Sequence, residues 1–481
     1  MQLQTDRIHP LMRRSLKSAN SAHRVIFNIV LPCIVGVTIG LLFFVSPWLA
    51  LACTVGAVIV VAAVIKPVLL CYLTIIAVTL TSGMERGKPI PLLRINEVIF
   101  LFSVGIAFVI MLTRKNRYPV NFDRLGVALF VLILGISIIP SAYHLVRGTS
   151  LTFQDAIVLL APYQYVFLFF MFAYIPSNNQ ERRGIIKFML WCAAVVAVVG
   201  LLQAAKIGFV TNFLHSWYSS PHEKVAASYN RITSLLGSWN TLGIFMMFNI
   251  IILWAFGTSR PSDLGWPTIL VVGGFCITCL VLSGSFAGVI VSVMGIVLIS
   301  VLLGINLNRK SIIVFFLLAL VASIMLLYFQ DRILIRWNEQ FGYGGGSAPS
   351  SLLVRFKLWQ DIYLPAIQKN LFWGINPTVP AYYTWKFTES QYLDLLFSFG
   401  LVGFVSYLFW NVMTLNSLVL RFYDHGNFLR TVTAIAIVII IVLFVAGFSN
   451  AVFAYSGTVE YMWIILALVT TQEDLKPKIL M

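Results

Sequence analysis

Apolar runs of about 20 residues recur along this chain, separated by short polar stretches, and that pattern leaves few architectures open. The runs fall at roughly 25–45, 48–65, 67–82, 95–113, 125–140, 156–175, 186–206 and 235–257. They continue near 266–282, 286–304, 311–328, 391–413, 431–448 and 452–470. A helix rises 1.5 Å per residue, so each run has about the length needed to cross a bilayer's hydrocarbon core of about 30 Å. The fold class that follows is an all-α integral membrane protein with about fourteen transmembrane helices. Only 10% of the 481 residues are charged, where a soluble domain carries about 25%.

The net charge of +16 does not point to nucleic acid, because much of the excess sits in short clusters between apolar runs. "DRIHPLMRRSLK", "RKNRYPVNFDR", "NNQERRGIIK" and "NLNRK" form the positive-inside pattern that orients membrane proteins. With the N-terminus in the cytoplasm and strict alternation, the clusters at 114–124, 176–187, 305–310 and 421–430 all fall inside. Both termini are then cytoplasmic. The basic N-terminus precedes a long apolar run with no A-x-A cleavage site, so it reads as a retained first helix. The 206–232 loop, the large 329–389 loop and the "SGS" turn at 283–285 fall on the periplasmic side. The span ends carrying Glu97, Asp155, Glu389, Asp394 and Glu460 fall there too. Ionisable groups at membrane depth are costly and tend to mark functional sites, so the working surface is expected to be periplasmic. The six cysteines all lie in apolar runs, which implies no disulfide framework; Cys276 and Cys279 read as packing residues despite their C-x-x-C spacing.

The large loop is unusual in its polarity. Its "GYGGGSAP" stretch is a flexible connector without the G-K-[ST] of a phosphate-binding loop. After it, "SLLVRFKLWQDIYL" (351–364) reads as a helix capped by Ser350 or Ser351 and interrupted by Pro365. At 3.6 residues per turn, Leu352, Phe356, Trp359 and Tyr363 share one face, while Lys357 and Asp361 lie opposite as an i,i+4 pair. Arg355 borders the apolar face, about 60° from its centre. Such a helix is expected to lie on the membrane surface with Arg355 at the depth of a lipid phosphate. Snorkelling at the interface is the plainer reading of the same arginine. Arg332 and Arg336, at the start of the loop, read as headgroup anchors. Trp373, Tyr382, Tyr383 and Trp385 read as an interfacial belt before they read as sugar-stacking rings. His215, His222 and Glu223 match no common metal-ligand spacing.

Four segments resemble, in order, the O-antigen ligase and O-antigen polymerase superfamily. They are "RITSLLGSWNTLGIFMMF" (231–248), "LSGSFAGVI" (282–290), "VRFKLWQDIYLPAIQKNLFWG" (354–374) with its Arg-x-x-x-Trp…Phe-x-Gly pattern, and "ESQYLDLLFSFGLVGF" (389–404) with Tyr-Leu and Gly-x-x-Gly. The resemblance implies a metal-independent membrane glycosyltransferase without cofactors. Such enzymes take a saccharide from an undecaprenyl-pyrophosphate carrier at the periplasmic face. Donor and acceptor saccharides, membrane lipids, a chain-length regulator and a flippase are the partners it implies, and nucleic acid is not among them. It also implies that Arg231 and Arg355 hold the carrier's pyrophosphate; Asn240, Ser285, Trp359, Tyr392 and Asp394 are the substrate-binding candidates, with a structural role for Asn240 equally open. Ligases usually carry His-Asn where this chain has Glu389-Ser390, which favours a polymerase. Phe286 follows Ser285 where Ser-Arg is often found, so another arginine, Arg94 or Arg147, is expected to complete the set.

Transfer from a pyrophosphate carrier needs cations for the leaving group and a base for the acceptor hydroxyl. Arginine meets the first need with a planar fork that binds phosphate oxygens two at a time. Glu389, at the start of a span, is the general-base candidate, with Asp394 as its substitute or partner; the bland role for Glu389 is a charge favoured by the helix dipole. The layout expected is a basic cytoplasmic N-terminus (1–24), N-terminal transmembrane helices (25–230), a catalytic region (231–405) with the 329–389 loop, and C-terminal helices with a short tail (406–481). The function expected is a polysaccharide polymerase. An O-antigen ligase, a protein O-oligosaccharyltransferase and a lipid-linked oligosaccharide flippase are the alternatives. The flippase lacks support, because no internal repeat is visible.

Overall fold

The structure, a computed structural model, describes residues 47–84, 94–113, 124–148, 162–218, 231–304, 316, 320, 323–324, 327–341, 350–375 and 388–470. The chain divides into two compact units, Met1–Pro67 and Val68–Met481. The first contributes α1 (Pro47–Ile65). That helix stops just short of Lys66-Pro67 because the residue before a proline is driven out of the α region.

The second unit is helical, with no strand among the described residues. In chain order it contains α2 (Val68–Thr81), α3 (Ile95–Thr113), α4 (Arg124–Val146), α5 (Tyr163–Tyr174), α6 (Asn179–Ala204) and α7 (Gly208–Trp217). Then come α8 (Trp239–Ser259), α9 (Trp266–Ser283), α10 (Phe286–Leu302), α11 (Gln330–Phe341), α12 (350–369), α13 (Gln391–Asp424), α14 (Asn427–Ala446) and α15 (Thr458–Val469). Six of the described helices are long and apolar enough to cross a membrane, and six shorter apolar helices accompany them. These twelve correspond to twelve of the fourteen runs read from the sequence. The run at 25–45 lies outside the described residues, as does most of 311–328, the "GYGGGSAP" connector, Asp155, His222, Glu223 and the ring cluster at 382–385.

α8 is the central helix. It is apolar on every side, and 94% of its apolar window is buried, as a helix without a polar face must be. It packs against α9 and α10, with α6, α14 and α15 around them. Close approach to α10 depends on small residues. A Cβ on Gly243 would lie 2.5 Å from the Ser285 Cβ, and one on Gly288 would lie 3.0 Å from the Gly243 backbone. Between membrane helices, where no hydrophobic driving force operates, such backbone proximity supplies the packing. Cys276 and Cys279 are free and buried in α9, packed as expected.

Polar contacts collect at the two ends of this second unit. At one end Arg183 and Arg260 pair with Asp263, Arg182 donates to the Thr470 carbonyl, and His425 meets Thr433. Among the described residues, that end holds the basic segments 176–187 and 421–430, two of those expected to be cytoplasmic. At the other end, Gly83 bonds the Leu235 carbonyl, Arg231 reaches the 283–284 turn, and residues 388–391 bond the 447–453 turn. The loops expected to be periplasmic therefore meet one another.

Four sequence expectations need correction. Pro365 does not interrupt α12: the helix runs as Ser350–Leu358, widens into a π-turn at Trp359–Tyr363 and resumes at Leu364–Lys369. A π-turn shifts the hydrogen-bond register by one residue, which accommodates the N–H that proline lacks. α4 uses the same device, a π-turn at Leu134–Ile138 ahead of Pro140, and so continues to Val146 instead of ending at 140. The register change also falls inside the Lys357–Asp361 spacing, and those two side chains form no ion pair. Finally, the last span begins at Thr458, so residues 449–457 form a turn, with a short 3₁₀ segment at Val452–Ala454.

Candidate active site

α13 contains a break that explains two of the quoted motifs together. Gly400 sits at φ +64°, ψ −163° inside the run of helix. The break frees backbone groups that would otherwise pair within the helix. Residues 371–375, following α12, take them up: Leu401 N donates to the Leu371 carbonyl at 2.8 Å, Val402 N to Phe372 at 3.3 Å, and Ile375 N to the Phe397 carbonyl at 3.0 Å. Gly374 (φ +67°) and Gly400 occupy left-handed conformations at this crossing. A Cβ on either would lie within 2.4 Å of the other segment's backbone. The Phe-x-Gly and Gly-x-x-Gly patterns are thus two halves of one interlock.

That interlock fixes α12 against the start of α13. Tyr363, Ala366, Ile367, Ile375 and Phe397 form a small core, with Trp359 and Leu393 packed on it. Trp359 and Tyr363 face inward as the periodicity indicated, whereas Phe356 remains exposed. Arg355 and Trp359 lie one helical turn apart on one face, and both reach the turn before α13. Trp359 Nε1 donates to the Thr388 carbonyl at 2.7 Å, and Arg355 Nη2 forms an ion pair with Glu389. Arg355 Nη1 also donates to the Ser449 carbonyl at 2.8 Å. The expectation of Arg355 at a lipid phosphate is corrected: its guanidinium points into the protein, on a carboxylate and a carbonyl.

Glu389 is held in an unusual backbone state, φ +55°, which costs a non-glycine residue about 1–3 kcal/mol. The Thr388 hydroxyl supports this turn by donating to the Ser390 carbonyl at 2.7 Å. The next residue, Gln391, donates its N–H to the Gly447 and Asn450 carbonyls and accepts from Phe453 N. The start of α13 is thereby tied to the 447–457 turn.

Arg231 enters from a different direction. It is buried, stacks on the Trp239 ring at 4.2 Å, and donates through Nε and Nη2 to the Ser283 and Gly284 carbonyls at 3.0 and 3.1 Å. It therefore locks the first quoted motif to the second. Ser285, in that turn, caps α10 by accepting from Gly288 N.

The groups converge on a residue the sequence reading passed over, Tyr455. Its hydroxyl donates to Asn450 Oδ1 at 2.9 Å, and the Asn240 side chain lies near it. Burial pushes the phenol well above its ordinary pKa and the charge of Glu389 pushes the same way. Arg355, Asn240 and Arg231 act against the rise. The net effect keeps the hydroxyl protonated and able to donate.

The structure thus pairs Arg355 with Glu389 and sets both, with Arg231 and Asn240, within electrostatic reach of one phenol, with Trp359 behind the Glu389 turn. Other expected residues stand apart. The Tyr392 hydroxyl donates to the Phe444 carbonyl, and its ring packs among Phe404, Tyr407, Phe444 and Phe448. Asp394 is half-buried one turn into α13 and makes no side-chain hydrogen bond or ion pair among the described residues. Arg94 interacts with Tyr165 and Glu460. Arg147 is exposed over the Tyr143 ring, which stacks on Trp373.

Residues 269–408 match the sequence model of the O-antigen ligase family, in agreement with the superfamily resemblance carried by the four motifs. The match spans the 283–285 turn, α12, Glu389 and the Gly400 interlock, and leaves Arg231, Asn240, Ser449, Asn450 and Tyr455 outside it. No curated protein matches the chain.

Proposed function

We propose that this protein is a polysaccharide polymerase of the periplasmic face. It transfers a glycan from a polyprenyl-pyrophosphate carrier to the next lipid-linked repeat unit, without a metal. The observation that carries the reading is the Arg355–Glu389 ion pair beside Arg231 and Asn240. It places a cation suited to phosphate and a carboxylate suited to proton abstraction in direct contact, at the loop end of a membrane-helix bundle. The O-antigen ligase match supports glycosyl-transfer chemistry in the region that holds this pair.

In the resting state the carboxylate occupies the guanidinium. The donor's pyrophosphate, a stronger and more highly charged acceptor, displaces Glu389 and takes its place on Arg355. The displacement releases Glu389 next to the reacting carbon, where it accepts the proton of the acceptor hydroxyl as that oxygen attacks. The C–O bond to the pyrophosphate breaks as the new glycosidic bond forms, and Arg355 and Arg231 stabilise the charge left on the leaving group. The saccharide profile of the native host with this gene deleted tests the reading. A polymerase leaves a single repeat unit on the final acceptor and abolishes the ladder. Long chains that still form on the carrier but never reach lipid A core or protein would identify a ligase instead.

A further inference from the structure

Tyr455 has no part in the scheme above, yet it is wired to it. Its hydroxyl donates to Asn450 Oδ1 at 2.9 Å, Asn450 Nδ2 donates to Ser449 Oγ at 3.0 Å, and the Ser449 carbonyl accepts from Arg355 Nη1 at 2.8 Å. The Asn450 carbonyl accepts from Gln391 N at 3.1 Å, two residues after Glu389. One hydroxyl therefore fixes the side chain of Asn450, the neighbour of Ser449, whose carbonyl holds Arg355. The backbone of the turn is held separately, by Tyr455 N on the Val452 carbonyl and Thr458 N on the Tyr455 carbonyl. The hydroxyl is thus not needed for the path of residues 452–458; through the Asn450 side chain it holds the Ser449–Asn450 part of the turn.

We infer that Tyr455 is a positioning residue for Arg355: its hydroxyl holds the Ser449–Asn450 turn, and that turn aims the guanidinium at the place the donor's pyrophosphate takes. The inference rests on the donor reading proposed above. Aim matters because the two parallel bonds of a guanidinium to phosphate are directional, and a displacement of about 1 Å at a reacting group can cost about 10²-fold. The hydroxyl suits the task because it stays protonated beside Glu389, so the bond to Asn450 does not titrate away. The Asn240 side chain of the first motif lies near the same phenol, so Tyr455 sits where that motif meets the turn that holds the Arg355 guanidinium.

The test uses the full-length protein in lipid nanodiscs and reads the affinity for undecaprenyl pyrophosphate beside the thermal midpoint. Tyr455→Phe and Asn450→Ala are each expected to lower the affinity about tenfold, the scale of one lost hydrogen bond, with the midpoint little changed. The double variant should lose no more than either single one. Neither change should lower the residual affinity of Arg355→Ala, because the effect passes through that arginine. Unchanged affinity in both variants overturns the inference and leaves the donor reading standing. Losses that add to that of Arg355→Ala, or that accompany a lowered midpoint, also overturn it, since Tyr455 would then act by another route or merely support the fold. If Tyr455→Phe does not fold, Asn450→Ala carries the same comparison. Wild-type protein that binds no undecaprenyl pyrophosphate overturns the donor reading, and this inference with it.

Discussion

At the scale of single residues, the Arg355–Glu389 pair separates binding from catalysis in a way that opposite-signed effects can reveal. Removing the carboxylate's charge while keeping its shape frees the guanidinium for phosphate. Glu389→Gln is therefore expected to bind undecaprenyl pyrophosphate about tenfold more tightly, roughly the 1.4 kcal/mol of one decade. The same variant should transfer glycan at least about 10²-fold more slowly, the usual cost of a lost general base. Titration calorimetry and a glycan-transfer assay on one preparation measure both. Weaker binding by the variant would mean that Glu389 helps hold the donor, and the displacement step would be wrong. Arg355→Lys keeps the charge but loses the fork. It should weaken pyrophosphate binding and shorten or abolish the ladder in vivo. Normal polymer from that variant would remove Arg355 from the clamp.

Among the helices, the segments that the four motifs occupy are joined by contacts that sequence spacing alone does not reveal. The Arg-x-x-x-Trp spacing was legible, because a 3.6-residue period puts Arg355 and Trp359 on one face and α12 keeps that period to Leu358. The π-turn that follows was not legible, since nothing in "WQDIYLP" separates a broken helix from one that shifts register. The glycines of Phe-x-Gly and Gly-x-x-Gly were visible as letters, but their partnership depends on two backbones meeting across 26 residues of sequence. Gly400→Ala tests that partnership. A Cβ there would lie 2.3 Å from the Phe372 backbone in a left-handed conformation, so the substitution is expected to cost about 3 kcal/mol or more. Thermal unfolding in detergent should register it as a clear fall in midpoint. Gly426→Ala, where a Cβ meets nothing within 4 Å, should leave the midpoint near that of wild type.

At the scale of the whole molecule, the described loops of the second unit that strict alternation puts on one side touch one another. Residues 82–84, 231–238, 283–285, 388–391 and 447–457 meet at one end, and the basic segments at 182–183, 260 and 421–425 lie with the end of α15. Tyr455 escaped the sequence reading for a reason of the same scale. Hydropathy averaged over a span-sized window blends the short turn at 449–457 into the apolar runs on either side, so a site residue was read as the start of a helix. The positive-inside distribution makes a definite statement about orientation, which labelling can test in intact cells. In a variant without native cysteines, a single cysteine at Ser347, in the large loop, should react with a membrane-impermeant maleimide before lysis. A single cysteine at Ser262, beside the Arg260–Asp263 pair, should react only after the membrane is opened. The reverse pattern would put the Arg355–Glu389 pair in the cytoplasm. There the donor would be met before it crosses the bilayer, and a polymerase of flipped repeat units could not be what this site performs.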